Sequence, residues 1–177
     1  HRDINPENVI RESAGDLKLG DLGVARLPHL EAFPASDIPG TPSYMAPELF
    51  GGAAGDERTD VFALGVTLYR MFSGGAYPYG EIEPFTTPRF RKPTPLSAHR
   101  PDLPAWLETA IARAVAADPA DRCQDAFELV FELENGAARG APARVRPLPF
   151  FEREPVLAWQ LVSMALFVLL MIALATR

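Results

Sequence analysis

Two short β-prone runs near the start of the chain face each other across a turn. Residues 8 to 11 read Asn-Val-Ile-Arg, residues 17 to 19 read Leu-Lys-Leu, and Ser, Gly and Asp lie between them. These residue types favour tight turns, so the pattern predicts a β-hairpin. Positions equally far from the turn of a hairpin lie side by side. Asn8 and Asp21 are about equally far from the turn, so an amide and a carboxylate are expected together, with Asp3 just upstream.

Apolar periodicity predicts three helices after the hairpin. Residues 59 to 73 are apolar nearly all round, which is typical of a buried helix. Residues 103 to 117 and 125 to 134 carry apolar side chains at helical spacing. Asn135 and Gly136 are expected to end the last helix. The predicted fold class is therefore mainly α with one short hairpin.

A long loop is predicted over residues 24 to 47, which contain five prolines and little periodicity. Loops of more than about 15 residues in a compact domain are usually functional. We therefore expect this loop to take part in the function of the chain.

The C-terminal tail predicts a membrane span. Residues 136 to 155 form a linker rich in Ala, Pro and Arg, and residues 156 to 175 contain no charged side chain. Twenty helical residues reach roughly 30 Å, the thickness of a bilayer core, although a buried helix is the alternative. Four arginines precede the run within 20 residues and one follows it. The positive-inside rule then predicts that the globular part is cytoplasmic.

Composition excludes some classes of function. The net charge is -6 and the sequence pI is near 5.1, whereas a nucleic-acid-binding surface needs a basic stripe. No nucleic-acid partner is therefore expected. The one cysteine, Cys123, excludes an internal disulfide and fits a reducing compartment.

Several short motifs follow one another in the first 65 residues. They are His1-Arg2-Asp3-Ile4-Asn5-Pro6-Glu7-Asn8, Asp21-Leu22-Gly23, Gly40-Thr41-Pro42-Ser43-Tyr44-Met45-Ala46-Pro47-Glu48 and Thr59-Asp60-Val61-Phe62-Ala63-Leu64-Gly65. In this order and spacing the chain resembles the protein serine/threonine kinase family over residues 1 to 135. The resemblance implies the C-terminal lobe of the kinase fold, followed by the linker and the transmembrane helix. It also implies transfer of phosphate from ATP to Ser or Thr hydroxyls of protein substrates.

The resemblance assigns catalytic and metal-binding roles. Asp3 matches the carboxylate that meets the attacking hydroxyl. Asn8 and Asp21 match the two ligands of Mg²⁺, which prefers hard oxygens next to the phosphates of ATP. Thr41 matches a position near the catalytic aspartate and, with Asn5, favours Ser/Thr over Tyr as acceptor.

Regulation is implied by Arg2, which matches an arginine that pairs with a phosphate on the activation loop. Ser36 carries the one hydroxyl side chain between residues 24 and 39. It is the first candidate phosphosite, and Thr41 and Ser43 come next. An unmodified loop serine is the alternative.

Further motif positions have supporting roles in the family. Glu48 matches the partner of a buried arginine, for which Arg122 is the candidate. Asp60 matches a helix acid that bonds the catalytic-loop backbone, and His1 matches a residue that braces that loop. Gly23 closes the metal-binding motif.

Two departures from the family pattern leave a second hypothesis open. Asn5 stands where most serine/threonine kinases have a lysine that contacts the transferring phosphate. The glycine-rich loop, lysine and glutamate that clamp ATP would all precede His1, so the chain is expected to be a fragment and inactive alone. The alternative is an inactive pseudokinase or remnant that acts as a membrane-tethered interaction module.

A narrower resemblance involves residues 60 to 107 most strongly. They look like a bacterial subgroup in which a kinase with a C-terminal membrane helix is fused to a PPM-type protein phosphatase. This implies a phosphatase domain upstream and a single-pass location in the cell inner membrane, with the kinase domain in the cytoplasm.

Overall fold

The computed structural model describes residues 1–25 and 41–139. In these two ranges a small antiparallel sheet is followed by four α-helices, which is the mainly helical arrangement that the sequence predicts. The elements are β1 (Val9–Arg11), β2 (Leu17–Leu19), α1 (Pro47–Phe50), α2 (Glu57–Ser73), α3 (Ala105–Ala114) and α4 (Ala126–Arg139). Single 3₁₀ turns are Pro6–Asn8, Pro42–Tyr44, Leu96–Ala98 and Pro119–Asp121.

The predicted hairpin is confirmed. In the antiparallel ladder Val9 pairs with Leu19. One step further from the turn, the amide of Gly20 donates a hydrogen bond of 2.8 Å to the carbonyl of Asn8. Asn8 therefore lies opposite Gly20 and next to Asp21 in register.

Helix α2 is the centre of the packing, since it contacts both α3 and α4. It begins with a reciprocal cap, in which Asp56 accepts from the amide of Arg58 and Thr59 accepts from the amide of Asp56. It ends at Gly74, whose φ of 77° is a conformation that glycine adopts at low cost. The helix is buried nearly all round, as predicted, through Val61, Phe62, Val66 and Tyr69.

Helix α3 crosses α2 at a close approach around Gly65. A Cβ atom at Gly65 would lie 2.8 Å from the Cβ of Ala114 and 2.9 Å from Cγ1 of Val115. Real Cβ atoms do not approach other carbons so closely. The absence of a side chain at Gly65 therefore sets the distance between the two helices.

The predicted end of the last helix is wrong. Helix α4 continues through Asn135 and Gly136 to Arg139. Gly136 packs against the ring of Trp106, where a Cβ would come within 2.7 Å of Cδ2. The glycine therefore allows α4 to approach the start of α3, a packing role that the local sequence does not distinguish from a helix stop.

The tail predictions lie outside the described residues. These are most of the linker and the whole uncharged run at 156–175. In residues 1–25 and 41–139, no helix is both long and apolar enough to cross a membrane.

Candidate active site

The Asp3 carboxylate is held at both oxygens. Its Oδ1 accepts from Nδ2 of Asn5 at 3.0 Å and from the amide and hydroxyl of Thr41 at 3.1 and 3.3 Å. Its Oδ2 accepts from Nδ2 of Asn8 at 3.0 Å. These donors fix the carboxylate in one orientation.

Asn5 contacts each of the other three residues, Asp3, Asn8 and Thr41. Its Oδ1 accepts from the amide of Asn8 at 3.0 Å, so it caps the 3₁₀ turn Pro6–Asn8 while its Nδ2 orients Asp3. Its side chain also lies 3.4 Å from the hydroxyl of Thr41. Only 3% of Asn5 is exposed, so these bonds are shielded from water.

Helix α2 supports the loop that carries Asp3. The carboxylate of Asp60 accepts from the main-chain nitrogens of His1 and Arg2 at 2.7 and 2.8 Å. Nε2 of His1 lies 2.9 Å from the carbonyl of Gly20, which joins this loop to the residue before Asp21. The structure therefore places His1 and Asp60 where they brace the loop.

Two non-glycine residues here have positive φ angles, Arg2 at 74° and Asp21 at 54°. Such conformations cost of order 1–3 kcal/mol and cluster at functional sites. Nε of Arg2 is buried and has no hydrogen-bond partner within the described residues. A guanidinium edge therefore remains available for a further acceptor.

Asn8 and Asp21 offer the oxygens of a metal site. The carboxylate of Asp21 is exposed, and its Oδ1 accepts from the amide of Gly23 at 3.2 Å. In residues 1–25 and 41–139, no group of three or more His, Cys, Asp or Glu side chains could hold a metal ion alone. An amide and one carboxylate still fit Mg²⁺, because this ion commonly takes its remaining ligands from water and substrate phosphates.

The segment after Thr41 is tied to a distant loop. The hydroxyl of Ser43 accepts from the amide of Ile82 at 2.9 Å and lies 3.4 Å from its carbonyl. Only 8% of Ser43 is exposed, which argues against its selection as a phosphosite. Thr41 is exposed, and Ser36 lies outside the described residues.

Glu48 and Arg122 form an ion pair. Nη1 and Nη2 of Arg122 donate to Oε1 and Oε2 of Glu48 at 2.7 and 2.8 Å, and Thr59 donates to Oε1 at 3.1 Å. Burial raises the pKa of Glu48, but the hydrogen bonds from Arg122 and Thr59 outweigh it. The pKa of this carboxyl therefore lies below its usual value, and it remains charged.

Sequence reasoning missed Arg70 at the end of α2. Its guanidinium lies 4.2 Å from the ring centroid of Tyr77 and donates to the hydroxyl of Tyr44, while its Nε donates to the carbonyl of Gly75 at 3.1 Å. Arg70 thereby joins the segment after Thr41 to the loop after α2. The available signal was a single charged side chain in the stretch 61–73, which is otherwise uncharged.

Comparison with known proteins agrees with this geometry. A family model described as the protein kinase domain matches residues 1–124. The chain is 35% identical over 170 residues to serine/threonine-protein kinase Pkn1 of Myxococcus xanthus, covering 88% of this chain and 24% of that protein. It is 34% identical over 154 residues to serine/threonine-protein kinase PknK of Mycobacterium bovis, covering 84% and 14%.

A third relative shows higher identity over a shorter stretch. Serine/threonine-protein kinase PknI of Mycobacterium bovis is 42% identical over 126 residues, covering 69% of this chain and 18% of that protein. The chain thus spans a quarter or less of the length of these relatives.

Proposed function

Since the chain belongs to the protein kinase family, we propose that its full-length protein transfers the γ-phosphoryl group of ATP to seryl and threonyl hydroxyls of proteins. The observation that carries this proposal is the Asp3 carboxylate, oriented by Asn5, Asn8 and Thr41. Transfer of a phosphoryl group depends on positioning and charge neutralisation, and a fixed carboxylate at the acceptor supplies the first of these.

Asp3 acts on the acceptor hydroxyl. As the hydroxyl oxygen forms its bond to the γ-phosphorus, the bond to the leaving oxygen of ADP breaks, and the acceptor proton passes to the Asp3 carboxylate. Oδ1 of Asp3 already accepts from three donors, whereas Oδ2 accepts only from Asn8 among the described residues and keeps a lone pair for the acceptor hydroxyl.

Asn8 and Asp21 would hold the Mg²⁺ that accompanies ATP. The ion, when bound, neutralises charge on the phosphates. The hairpin bond between Gly20 and Asn8, which brings the backbone of Asp21 next to Asn8 in register, supports this pairing.

Exposed apolar side chains on and next to the hairpin support an ATP-clamping lobe elsewhere in the full-length protein. Four large apolar side chains of this region are exposed: Ile10, Leu17, Leu19 and Leu22. Clustered exposed apolar side chains usually mark an interaction surface. We propose that the clamp packs against these side chains.

The test is phosphate transfer by the full-length gene product. Purified protein is incubated with γ-labelled ATP and Mg²⁺, and phosphoserine, phosphothreonine and phosphotyrosine are separated after hydrolysis. We expect label on Ser and Thr, and a decrease of at least about 100-fold in Asp3→Asn. Asp16→Asn makes the same chemical change in the hairpin turn and serves as the control.

The outcomes separate the two hypotheses. Transfer by Asp3→Asn at the wild-type rate would remove Asp3 as the base. No transfer by the wild type, with ATP and partner binding intact, would favour the inactive interaction module.

Regulation by phosphorylation is a further proposal. The unpartnered Nε of Arg2 supports pairing with a loop phosphate on Ser36 or Thr41. Mapping of phosphopeptides from the purified protein tests it, and phosphate on Ser43 alone would contradict it.

Membrane anchoring and a fused phosphatase are proposals from the sequence. The uncharged run at 156–175 supports a single span in the inner membrane with the kinase domain in the cytoplasm. Deletion of residues 156–177 should move the protein from the membrane to the soluble fraction, and retention would contradict the span. Sequencing of the coding DNA ahead of His1 tests the PPM-type phosphatase domain.

A further inference from the structure

A tight turn presents Phe85 to solvent. The amide and hydroxyl of Thr86 bond the carbonyl of Glu83 at 3.4 and 2.7 Å, with Pro84 and Phe85 at the centre of the turn. The whole Phe85 side chain is exposed, with a relative accessibility of 108%. Nothing in the described residues packs against its ring.

The backbone of Phe85 is also strained. Its φ is 63°, a conformation that this turn position normally assigns to Gly or Asn. A large side chain here costs stability and leaves apolar surface in water, so folding does not explain it. Contact with a partner would explain both features.

The same loop carries a hollow and two exposed carboxylates. A cavity of about 300 Å³ lies beside the turn and is lined by Glu81, Ile82, Glu83, Thr86 and Arg89, among others. Both glutamates are exposed, and within the described residues neither is in an ion pair. The loop thus combines one aromatic anchor with an acidic hollow that also contains the Arg89 cation.

The loop 81–86 is connected by hydrogen bonds to the part of the site where Asp3 would meet the acceptor hydroxyl. Ile82 is hydrogen-bonded to Ser43, two residues after Thr41, which itself bonds Asp3. Even if every residue along this path were fully extended, Phe85 would lie at most roughly 25 to 30 Å from the Asp3 carboxylate. An extended acceptor of about eight residues covers that distance.

We infer that the loop 81–86 is a docking site for acceptor proteins. Phe85 contacts a large apolar side chain of the acceptor, and Glu81 and Glu83 contact an adjacent Lys or Arg. The inference rests on the proposed kinase function, because it names the protein substrate as the occupant. It assigns specificity to a loop that lies outside the catalytic motifs.

An array of Ser- and Thr-centred peptides with scanned flanking positions tests the inference. The full-length kinase is measured twice on one array, by binding of the labelled protein and by transfer from γ-labelled ATP. We expect selection of an apolar and a basic residue within about eight positions of the acceptor, with preferences of about tenfold. On soluble peptides the preference should appear in KM rather than kcat.

Four variants test which side chains of the kinase cause the preference for apolar and basic residues in the peptide. Phe85→Ala and Phe85→Gly should abolish the apolar preference but keep kcat on a peptide without the apolar residue. Phe85→Gly should also raise the melting temperature, because glycine relieves the positive φ. Glu81→Gln with Glu83→Gln should remove only the basic preference. Phe127→Ala, which removes a similarly exposed ring from α4, should change neither.

The two readouts distinguish failure of the inference from failure of the kinase proposal. Phe85-dependent binding without transfer would retain docking and refute catalysis. Transfer without any apolar preference, or a preference that survives Phe85→Ala, would overturn the docking site. Absence of both binding and transfer would overturn both.

Discussion

Arg122 and Glu48 are 74 residues apart in the chain, and their side chains meet through two hydrogen bonds of 2.7 and 2.8 Å. Arg122 has no solvent exposure and also donates to the carbonyls of Ala116 and Ala117 at 2.7 and 3.0 Å. The pair joins the segment that carries Thr41 to the end of the helical core. Charges buried in this way are costly when one partner is removed.

Replacement of Arg122 by Met should therefore destabilise the kinase domain by about 3 to 5 kcal/mol, because the Glu48 side chain, only 17% exposed, would lose its charge partner. Urea unfolding of the full-length protein measures this loss of stability, at the unfolding transition that belongs to the kinase domain. Arg100→Met removes an arginine from the exposed pair with Asp102 and should leave the transition unchanged. Equal effects of the two substitutions would contradict the role of burial.

Acid should weaken the same pair. The pKa of Glu48 is below its ordinary value of 4.5 in the folded protein, although burial alone would raise it. The folded state then binds fewer protons than the unfolded state, so the stabilisation is complete above the unfolded pKa. It is lost as the pH falls below about 4.5 and through the folded pKa.

Glu48→Gln tests this pH dependence. The variant should be less stable than the wild type at pH 7, and the difference should shrink between pH 5 and pH 3. The difference between the two proteins is measured because other carboxyls, such as Asp56 and Glu128, also have lowered pKa values. A stability difference that stays constant with pH would show that ionisation of Glu48 contributes nothing.

Much of the site follows from local chemistry in the sequence. The Asn8 and Asp21 neighbourhood follows from turn residues and strand pairing, which depend only on nearby positions. The bracing of the loop by Asp60 required the family motif, because no local pattern joins residues 1 and 60. Long-range contacts of this kind depend on how helices pack.

Packing also explains what the sequence did not show. Asn135 and Gly136 have the composition of a helix stop, but the Trp106 ring makes Gly136 a packing position within α4. From the sequence, Ser43 is a candidate phosphosite, but in the structure it is hydrogen-bonded to Ile82 and only 8% exposed. In each case the decisive partner is at least 30 residues away in the chain.

Gly65→Ala should destabilise the domain although alanine is the better helix former. The new methyl would lie 2.8 Å from the Cβ of Ala114, so α2 and α3 must separate. Overpacking of a tight core costs about 1 to 3 kcal/mol, more than the gain of about 1 kcal/mol in helix propensity. Thermal unfolding measures the change, and a stabilised variant would show that the helices separate freely.

Asn5→Ala should impair catalysis by releasing Asp3. The substitution removes the donor to Oδ1 of Asp3 and the cap of the 3₁₀ turn that carries Asn8. Small displacements of a reacting group cost up to about 100-fold in rate, so we expect kcat to fall about 10- to 100-fold. A rise in the KM for ATP would report on the lost cap, because the capped turn carries Asn8, a ligand proposed for the Mg²⁺ of ATP. Steady-state transfer by the full-length protein measures both constants.

Asn5→Lys and Asn135→Ala provide the comparison. A lysine ammonium can also donate to the Asp3 carboxylate, so Asn5→Lys should keep more activity than Asn5→Ala. Asn135 bonds only the carbonyl of Phe131 within the described part of α4, and its replacement should leave kcat unchanged. If Asn5→Lys were as impaired as Asn5→Ala, the amide geometry of Asn5 would matter more than donation to Asp3. If Asn5→Ala kept the wild-type kcat, Thr41 and Asn8 alone would suffice to orient the base.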